Sequence, residues 1–206
     1  LGRYQTNILN ITDVEVFHNY VSSCINIGIV AIDTETNNSL DPLTCKLMGL
    51  CLYAPGLQYA YVPINHRDPE TKIRLVNQLT EEDVRNELQR INESGIKVVA
   101  HNGKFDYQVL ISNGLKKNPT CTIYDTMVAA WLLHPDRSSF SLEKLTEAKL
   151  LIETISFDSI VPKGKNFTDV PLETAVKYGS EDADFTWQLW QIFEKELKEN
   201  NINVRI

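Results

Sequence analysis

The feature that most constrains the fold is an apolar run at residues 27–32 that ends in two carboxylates, Asp33 and Glu35. The run is rich in β-branched side chains, and its lack of polar positions predicts a strand buried on both faces. Side chains alternate along a strand, so Asp33 and Glu35 are expected on one face at its carboxyl end. Such a pair is usually stabilised by a divalent cation with oxygen ligands. The alternative is a strand that simply stops in a solvated turn.

Length and composition limit the class of protein. The 206 residues suffice for one sizeable domain, and 43% hydrophobic with 23% charged residues is ordinary for a globular protein. No apolar run is long enough to cross a bilayer and no signal peptide is evident, so we expect an intracellular, cytoplasmic protein without a membrane partner. The chain does not begin with Met, which suggests a fragment or a processed chain. The net charge of −7 argues against a broad basic surface but allows nucleic acid held through metal ions.

The four cysteines have no C-x-x-C spacing and lie in or beside apolar stretches; they are Cys24, Cys45, Cys51 and Cys121. This distribution favours small core residues of a reduced intracellular protein. We therefore expect neither a disulfide framework nor a zinc site.

The order of the elements indicates an α/β domain with a mixed sheet. A short helix that starts near Asp13 precedes the key strand, and strand-like runs at residues 46–53 and 58–63 follow it around a hairpin loop. These three strands are expected to be antiparallel. Further on, a strand at residues 96–100 alternates with helices, one of them capped by Thr80. Helices are also expected at residues 126–133 and 141–150 and around residues 152–160, with a short helix from Pro171 and a last, long one from Ser180.

Two further motifs place acidic residues where a site can form. Asp106 follows Asn102 just after the strand at residues 96–100, at the sheet edge where open α/β folds bind ligands. A carboxylate that only complements the helix dipole is the alternative. Tyr178 and Asp182 are four residues apart and share a face if one helix continues through both. A capped helix start at Ser180 is the alternative, although it leaves Tyr178 unexplained.

Together, D-x-E after the first strand, N-x-x-x-D after a later one and Y-x-x-x-D in a late helix resemble the DEDD exonuclease superfamily. Within it, the chain is similar to the 3′–5′ proofreading exonuclease domain of family A, bacterial polymerase I-like DNA polymerases. Four short segments are also similar in sequence to that domain: D-T-E-T, then S-L-D, D-T-M and K-G-K-N. The resemblance covers residues 10–198 and implies one ribonuclease-H-like domain over residues 1–206. Its expected sheet has five strands, three antiparallel and then parallel ones, flanked by helices.

The resemblance also implies an activity: metal-dependent 3′–5′ hydrolysis of DNA ends to nucleoside 5′-monophosphates, as proofreading during replication. Two divalent ions, Mg²⁺ or Mn²⁺, are the implied cofactors. The implied metal ligands are the four carboxylates, and the phenol completes the catalytic set: Asp33, Glu35, Asp106, Tyr178 and Asp182. The sister subclass has a His five residues before the last Asp, where this chain has Lys177, so the tyrosine subclass is implied.

The implied substrate contacts are Leu40, Asn102, Phe105, Lys163 and Lys165, with Phe140 as a further stacking candidate. Leu40 would wedge against the terminal base, but the segment before it is one residue longer than the family pattern, with two Asn where one is usual. Core packing is the alternative for the apolar side chains, and a solvated loop is the alternative for the two lysines.

The implied partners are a single-stranded or frayed DNA 3′ end and a polymerase domain, in the same chain or in a partner chain. Two other functions stay open at this point. One is a free-standing 3′–5′ exonuclease acting on RNA or repair intermediates, similar to ribonuclease D. The other is a non-catalytic scaffold that binds a DNA end, against which the intact carboxylates argue.

Overall fold

The computed structural model describes residues 8–37, 41–117, 119–161 and 163–202. Its central element is a six-stranded mixed sheet in the spatial order β1-β4-β3-β2-β5-β6. The strands are β1 (Leu9–Asn10), β2 (Ile29–Thr36), β3 (Leu47–Tyr53), β4 (Ala60–Pro63), β5 (Lys97–Ala100) and β6 (Thr122–Asp125).

The sheet changes from antiparallel to parallel pairing at β2. On one side β2 pairs antiparallel with β3, and β3 pairs antiparallel with β4. On the other side β2 pairs parallel with β5, and β5 pairs parallel with β6. This arrangement confirms the predicted mixed sheet. The sixth strand, β1, lies parallel to β4 and is two residues long, too short to give a periodic signal in the sequence.

The helices are α1 (Val14–Ile27), α2 (Glu81–Glu93), α3 (Gly103–Ser112), α4 (Thr126–Leu133), α5 (Leu142–Leu150), α6 (Phe157–Ile160) and α7 (Leu172–Glu199), with a short 3₁₀ helix at Phe167–Asp169. Asp13 caps α1, and Thr80 forms a capping box with Asp83 at the start of α2. The apolar run begins inside α1, which Gly28 ends with a φ of 85°, so β2 starts at Ile29 and not at residue 27.

The C-terminal part corrects two sequence expectations. The helix expected around residues 152–160 is confined to α6, because Leu151 has a φ of 58° and ends α5. No new helix begins at Ser180, since α7 runs unbroken for 28 residues. Ser180 is buried, and its hydroxyl has no hydrogen-bond partner in the part of the chain that the structure describes, so it caps nothing.

Alternation along β2 divides the molecule into two layers. Val30 and Ile32 face one side, where they pack with buried residues of α1, α2 and α3. Ala31 faces the other side and packs with α4, α5 and α7. Asp33 and Glu35 continue the Ala31 series, so the fold directs both carboxylates toward the α7 layer. Across the described ranges, we find no helix with the length and apolarity that crossing a membrane requires.

Candidate active site

The first part of the site is the carboxyl end of β2. The strand continues through both carboxylates to Thr36, so the alternative prediction of a solvated turn at Asp33 and Glu35 is wrong. Glu35 is 6% exposed, whereas Asp33 is only partly buried. Glu35 Oε1 has no hydrogen-bond partner among the described residues. A buried carboxylate oxygen in that state is costly, and a cation beside it removes the cost.

The second part is Asp106, which is buried in the first turn of α3. Its Oδ1 accepts hydrogen bonds from the Thr34 hydroxyl at 2.6 Å and from the Thr34 backbone N–H at 3.2 Å. Thr34 lies between the two carboxylates of β2, so these bonds tie α3 to the strand at the point where the acidic groups converge. Burial raises the pKa of Asp106 to about 7, although the Thr34 bonds oppose the shift.

Asp125, at the end of β6, holds the loop that leads into α3. Its carboxylate accepts from the backbone N–H groups of Asn102 at 3.1 Å and Gly103 at 2.7 Å, and it also caps α4 through Met127 and Val128. Sequence reasoning missed this role. The signal was the D-T-M wording, in which an Asp immediately before a helix is a typical N-cap.

The third part comes from α7, where Tyr178 and Asp182 are one turn apart in a continuous helix. The Tyr178 hydroxyl donates a hydrogen bond to the Asp182 carboxylate. Burial raises the pKa of Asp182 to about 7, and the bond from Tyr178 opposes that rise. A phenol in this position can orient a water or a phosphate oxygen beside the carboxylates.

Gly179 allows α7 to approach the sheet this closely. A Cβ at position 179 would overlap Cys51 Sγ and lie 2.9 Å from Glu35 Oε1. Gly49 gives similar room to the ring of Tyr61. Neither glycine was predicted to matter, because close approach between distant segments leaves no local pattern in a sequence.

The electrostatics of the site follow from four carboxylates in a buried space. Burial raises the pKa of Asp33 well above its usual value, as do the charges of Glu35, Asp106 and Asp182. Burial and the charges of Asp182 and Asp106 likewise raise the pKa of Glu35. Among the described residues, no Lys, Arg or His forms an ion pair with any of the four. Oxygen donors with an uncompensated negative charge suit hard divalent cations.

The residues predicted to contact substrate are spread over several loops and both layers of the structure. Asn102 lies in the loop after β5 with a φ of 61°, four residues before Asp106, and its backbone N–H donates to Asp125. Phe105 is partly buried and packs against the core layer of α1 to α3, and Phe140 packs in the opposite layer. Lys163 and Lys165 are exposed in the loop before the 3₁₀ helix. Leu40 lies outside the described residues.

Comparisons with known proteins agree with this arrangement. A family profile described as 3′–5′ exonuclease matches residues 8–198. DNA polymerase I of Treponema pallidum is 34% identical over an alignment 228 residues long, including gaps. The alignment covers 96% of this chain and 23% of that protein. DNA polymerase I of Borreliella burgdorferi is 36% identical over 174 residues, covering 84% of this chain and 18% of that protein. The chain thus spans less than a quarter of the length of these relatives.

The catalytic core of RRP6 from Trypanosoma brucei has the same fold, with a TM-score of 0.69 at 17% identity, over 98% of this chain and 50% of that one. The mixed sheet flanked by helices is a ribonuclease-H-like fold, and the matching family profile makes the chain a nuclease. More narrowly, the chain belongs to the 3′–5′ exonuclease family, in the form found in DNA polymerase I. The match of a polymerase-linked family does not favour the ribonuclease D-like alternative.

Proposed function

We propose that this domain removes nucleotides from DNA 3′ ends by metal-dependent phosphodiester hydrolysis. The observation that carries the proposal is the convergence of Asp33, Glu35, Asp106 and Asp182, from three separate elements, on one edge of the sheet. Family membership supports nuclease activity, and the polymerase I relatives support DNA as the substrate.

The carboxylates fit two divalent ions, Mg²⁺ or Mn²⁺. Asp33, Glu35 and Asp182 would hold one, and Asp33 with Asp106 would hold the other. When bound, such ions would supply Lewis acidity for both the attacking and the leaving oxygen. Glu35 and the Tyr178 hydroxyl orient the water for in-line attack on the terminal phosphorus. The partial burial of these groups limits competing water at the reacting phosphate.

A single-stranded or frayed 3′ end fits best, because the terminal nucleotide must leave the duplex stack before it reaches the site. Asn102 and Phe105 lie on the α3 side, from which they would contact the last nucleotides, with Leu40 as the proposed wedge. Exposed Lys163 and Lys165 would contact phosphates farther along the strand. Such an end matches a proofreading role during DNA replication.

The assembly is also part of the proposal. Residues 1–206 would form one exonuclease domain, accompanied by a polymerase domain in the same chain or in a partner chain, because the relatives are DNA polymerase I. An intracellular, cytoplasmic location would follow from such a role.

A degradation assay tests the function. Labelled matched, mismatched and single-stranded DNA and single-stranded RNA are incubated with the wild type and with the Asp33→Ala/Glu35→Ala double variant. We expect 3′→5′ shortening to nucleoside 5′-monophosphates, fastest on single-stranded DNA, and a loss of about 10³-fold in the variant. Excess EDTA should abolish the activity, because four carboxylates without cations repel a polyanion.

Three results would reject the proposal: full activity in EDTA, full activity in the double variant, or shortening from the 5′ end. Faster digestion of RNA than of DNA would mean that the domain is a ribonuclease and not a deoxyribonuclease. DNA-end binding without hydrolysis by the wild type would support the non-catalytic scaffold.

A further inference from the structure

Cys51 lies directly opposite Asp33 in the antiparallel pair of β2 and β3. Opposite residues in such a pair project from the same face, so the Cys51 side chain shares the α7-facing side with Asp33 and Glu35. Its Sγ and one carboxylate oxygen from each of these residues all lie within 4.8 Å of one another. A soft ligand atom is therefore built into the base of a site made otherwise of oxygen.

Glu35 is the second, independent observation that a ligand belongs at this position. Its side chain is 94% buried, since 6% is exposed, and its Oε1 has no hydrogen-bond partner among the described residues. Gly179 packs closely against both side chains, because a Cβ there would overlap Cys51 Sγ and lie 2.9 Å from Glu35 Oε1. A thiol and an unpartnered carboxylate oxygen therefore lie side by side beneath α7.

Core packing alone does not account for this placement. Cys51 is fully buried and packs with Met48 and Tyr61, as a small apolar residue would. An Ala or Val at this position would serve that packing without presenting a ligand atom to two carboxylates. Asp33, directly opposite the buried sulfur, is itself partly exposed to solvent.

We propose that Cys51, Asp33 and Glu35 form a mixed sulfur and oxygen site that captures thiophilic divalent ions such as Zn²⁺ and Cd²⁺. Thiolate ligands select these ions, whereas Mg²⁺ takes oxygen ligands and ignores sulfur. On binding, the S–H bond breaks, the sulfur keeps the electron pair as the metal ligand, and the proton leaves to the buffer. Zinc bonds of about 2.3 Å to sulfur and 2.0–2.2 Å to oxygen suit ligand atoms at this spacing after small side-chain rotations.

A consequence for regulation rests on the proposed function. An ion held through Cys51 occupies Asp33 and Glu35, which the hydrolytic ions also need. Thiophilic ions would therefore compete with Mg²⁺ and inhibit hydrolysis, which makes the exonuclease sensitive to free zinc.

The test follows metal binding directly. The metal-free, reduced chain is titrated with Cd²⁺ alone while the ultraviolet cadmium–thiolate charge-transfer band is recorded, and Mg²⁺ binding is measured separately by calorimetry. The variants are Cys51→Ser and, as a matched control, Cys121→Ser, which removes a thiol distant from the carboxylates. Circular dichroism verifies that each variant is folded, and Cys51→Ala replaces Cys51→Ser if the latter is not.

We expect a band that saturates at one Cd²⁺ per chain in the wild type and in Cys121→Ser. In Cys51→Ser the band should disappear and Cd²⁺ affinity should fall at least about tenfold, while Mg²⁺ affinity changes by less than about twofold. No band in the wild type, a band that survives loss of Cys51, or equal losses of Cd²⁺ and Mg²⁺ affinity would each overturn the proposal. None of these readouts measures hydrolysis, so failure here is distinct from failure of the exonuclease assay.

Discussion

At the scale of single residues, Tyr178 shows how one side chain changes the pKa of another. Burial raises the pKa of Asp182 to about 7, and the hydrogen bond from the Tyr178 hydroxyl lowers it. The bond thus favours the ionised carboxylate, which is the form that binds a cation. Under the proposed function a phenol at this position would serve two purposes, since the same hydroxyl would also orient the attacking water.

Replacing Tyr178 with Phe tests both purposes. We expect hydrolysis to fall about 10²-fold, because an orienting hydroxyl is removed. The acid limb of the pH–rate profile should also move to higher pH, because Asp182 loses the bond that lowers its pKa. The measurement is the rate of 3′-end removal from single-stranded DNA between pH 5 and pH 9. A Tyr59→Phe variant is the control, since Tyr59 donates to Asp184 outside the acidic cluster.

An unchanged profile in Tyr178→Phe would show that this hydroxyl does not act on Asp182 during hydrolysis. A drop of the same size in Tyr59→Phe would indicate that any tyrosine loss in this region disturbs the fold.

The sequence predicted residues of the candidate site where a local period exposes them or where, as for Asp106, they follow a strand at the edge of the sheet. Asp33 and Glu35 follow from strand alternation, and Tyr178 with Asp182 follows from helical spacing. Cys51 does not, because its position opposite Asp33 depends on cross-strand register. Register is decided by pairing between segments and has no signature within either one.

At the scale of elements, α7 packs across both the antiparallel and the parallel parts of the sheet, where it contacts β2, β3, β4 and β5. It carries Tyr178 and Asp182 near its start, and farther along it buries Leu189, Phe193 and Leu197 in the sheet layer. Its apolar contacts therefore fix the distance between Asp182 and β2. That distance is small only because position 179 has no side chain.

Replacing Gly179 with Ala sets helix propensity against packing. Ala is the better helix former by about 1 kcal/mol, so propensity alone would stabilise α7. The added methyl overlaps Cys51 Sγ and crowds Glu35, and overpacking of this kind costs about 1–3 kcal/mol. We expect a net loss in the free energy of unfolding, measured by urea titration, together with at least a tenfold loss of hydrolysis.

The matched control is Lys195→Ala on the exposed side of the same helix, which should leave both quantities nearly unchanged. A stabilised and fully active Gly179→Ala would mean that α7 tolerates displacement from β2.

Prediction of the elements failed where tertiary packing overrides a local signal. Ser180 before Glu181 and Asp182 is a plausible helix start, yet the chain stays helical through this point because both flanking turns are packed on the sheet. The starts of the four strands that were located from the sequence were correct to within two residues, and β2 begins later than expected because Gly28 ends α1. The positions of β1 and β6 were not predicted.

At the scale of the whole molecule, the two faces of β2 contribute to different parts of the structure. Its Val30 face contributes to the core with α1 to α3, and its Ala31 face leads into the acidic site under α7. The antiparallel-to-parallel change at β2 brings β5 and α3 to the same edge. This topology was expected from the order of the motifs. The hydrogen bond between Thr34 and Asp106 could not be predicted, because it joins residues that are far apart in the sequence.

The raised pKa values of the carboxylates predict how stability depends on pH. An acid whose pKa is higher in the folded state binds protons more tightly when folded, so stability is lost as pH rises through that pKa. Asp106 and Asp182 both have a pKa near 7. Buried His66 and His101 have pKa values lowered to about 4, and their opposite contribution levels off about one pH unit above the unfolded-state His pKa of about 6.5.

In EDTA, the melting temperature should therefore fall between pH 6.5 and pH 8, because the four carboxylates with raised pKa values outweigh the remaining contribution of the two histidines. Saturating Mg²⁺ should raise it more at pH 8 than at pH 6.5, because the ion binds the ionised form. Differential scanning fluorimetry of the wild type and of Asp106→Asn gives both values, and the variant should show a weaker fall. A melting temperature that rises over this range in EDTA would contradict the assignment.

The four acidic side chains have a consequence for engineering. Because they repel one another inside the fold, a designer who replaces them with amides would obtain a more stable protein, which under the proposed function would no longer hydrolyse DNA.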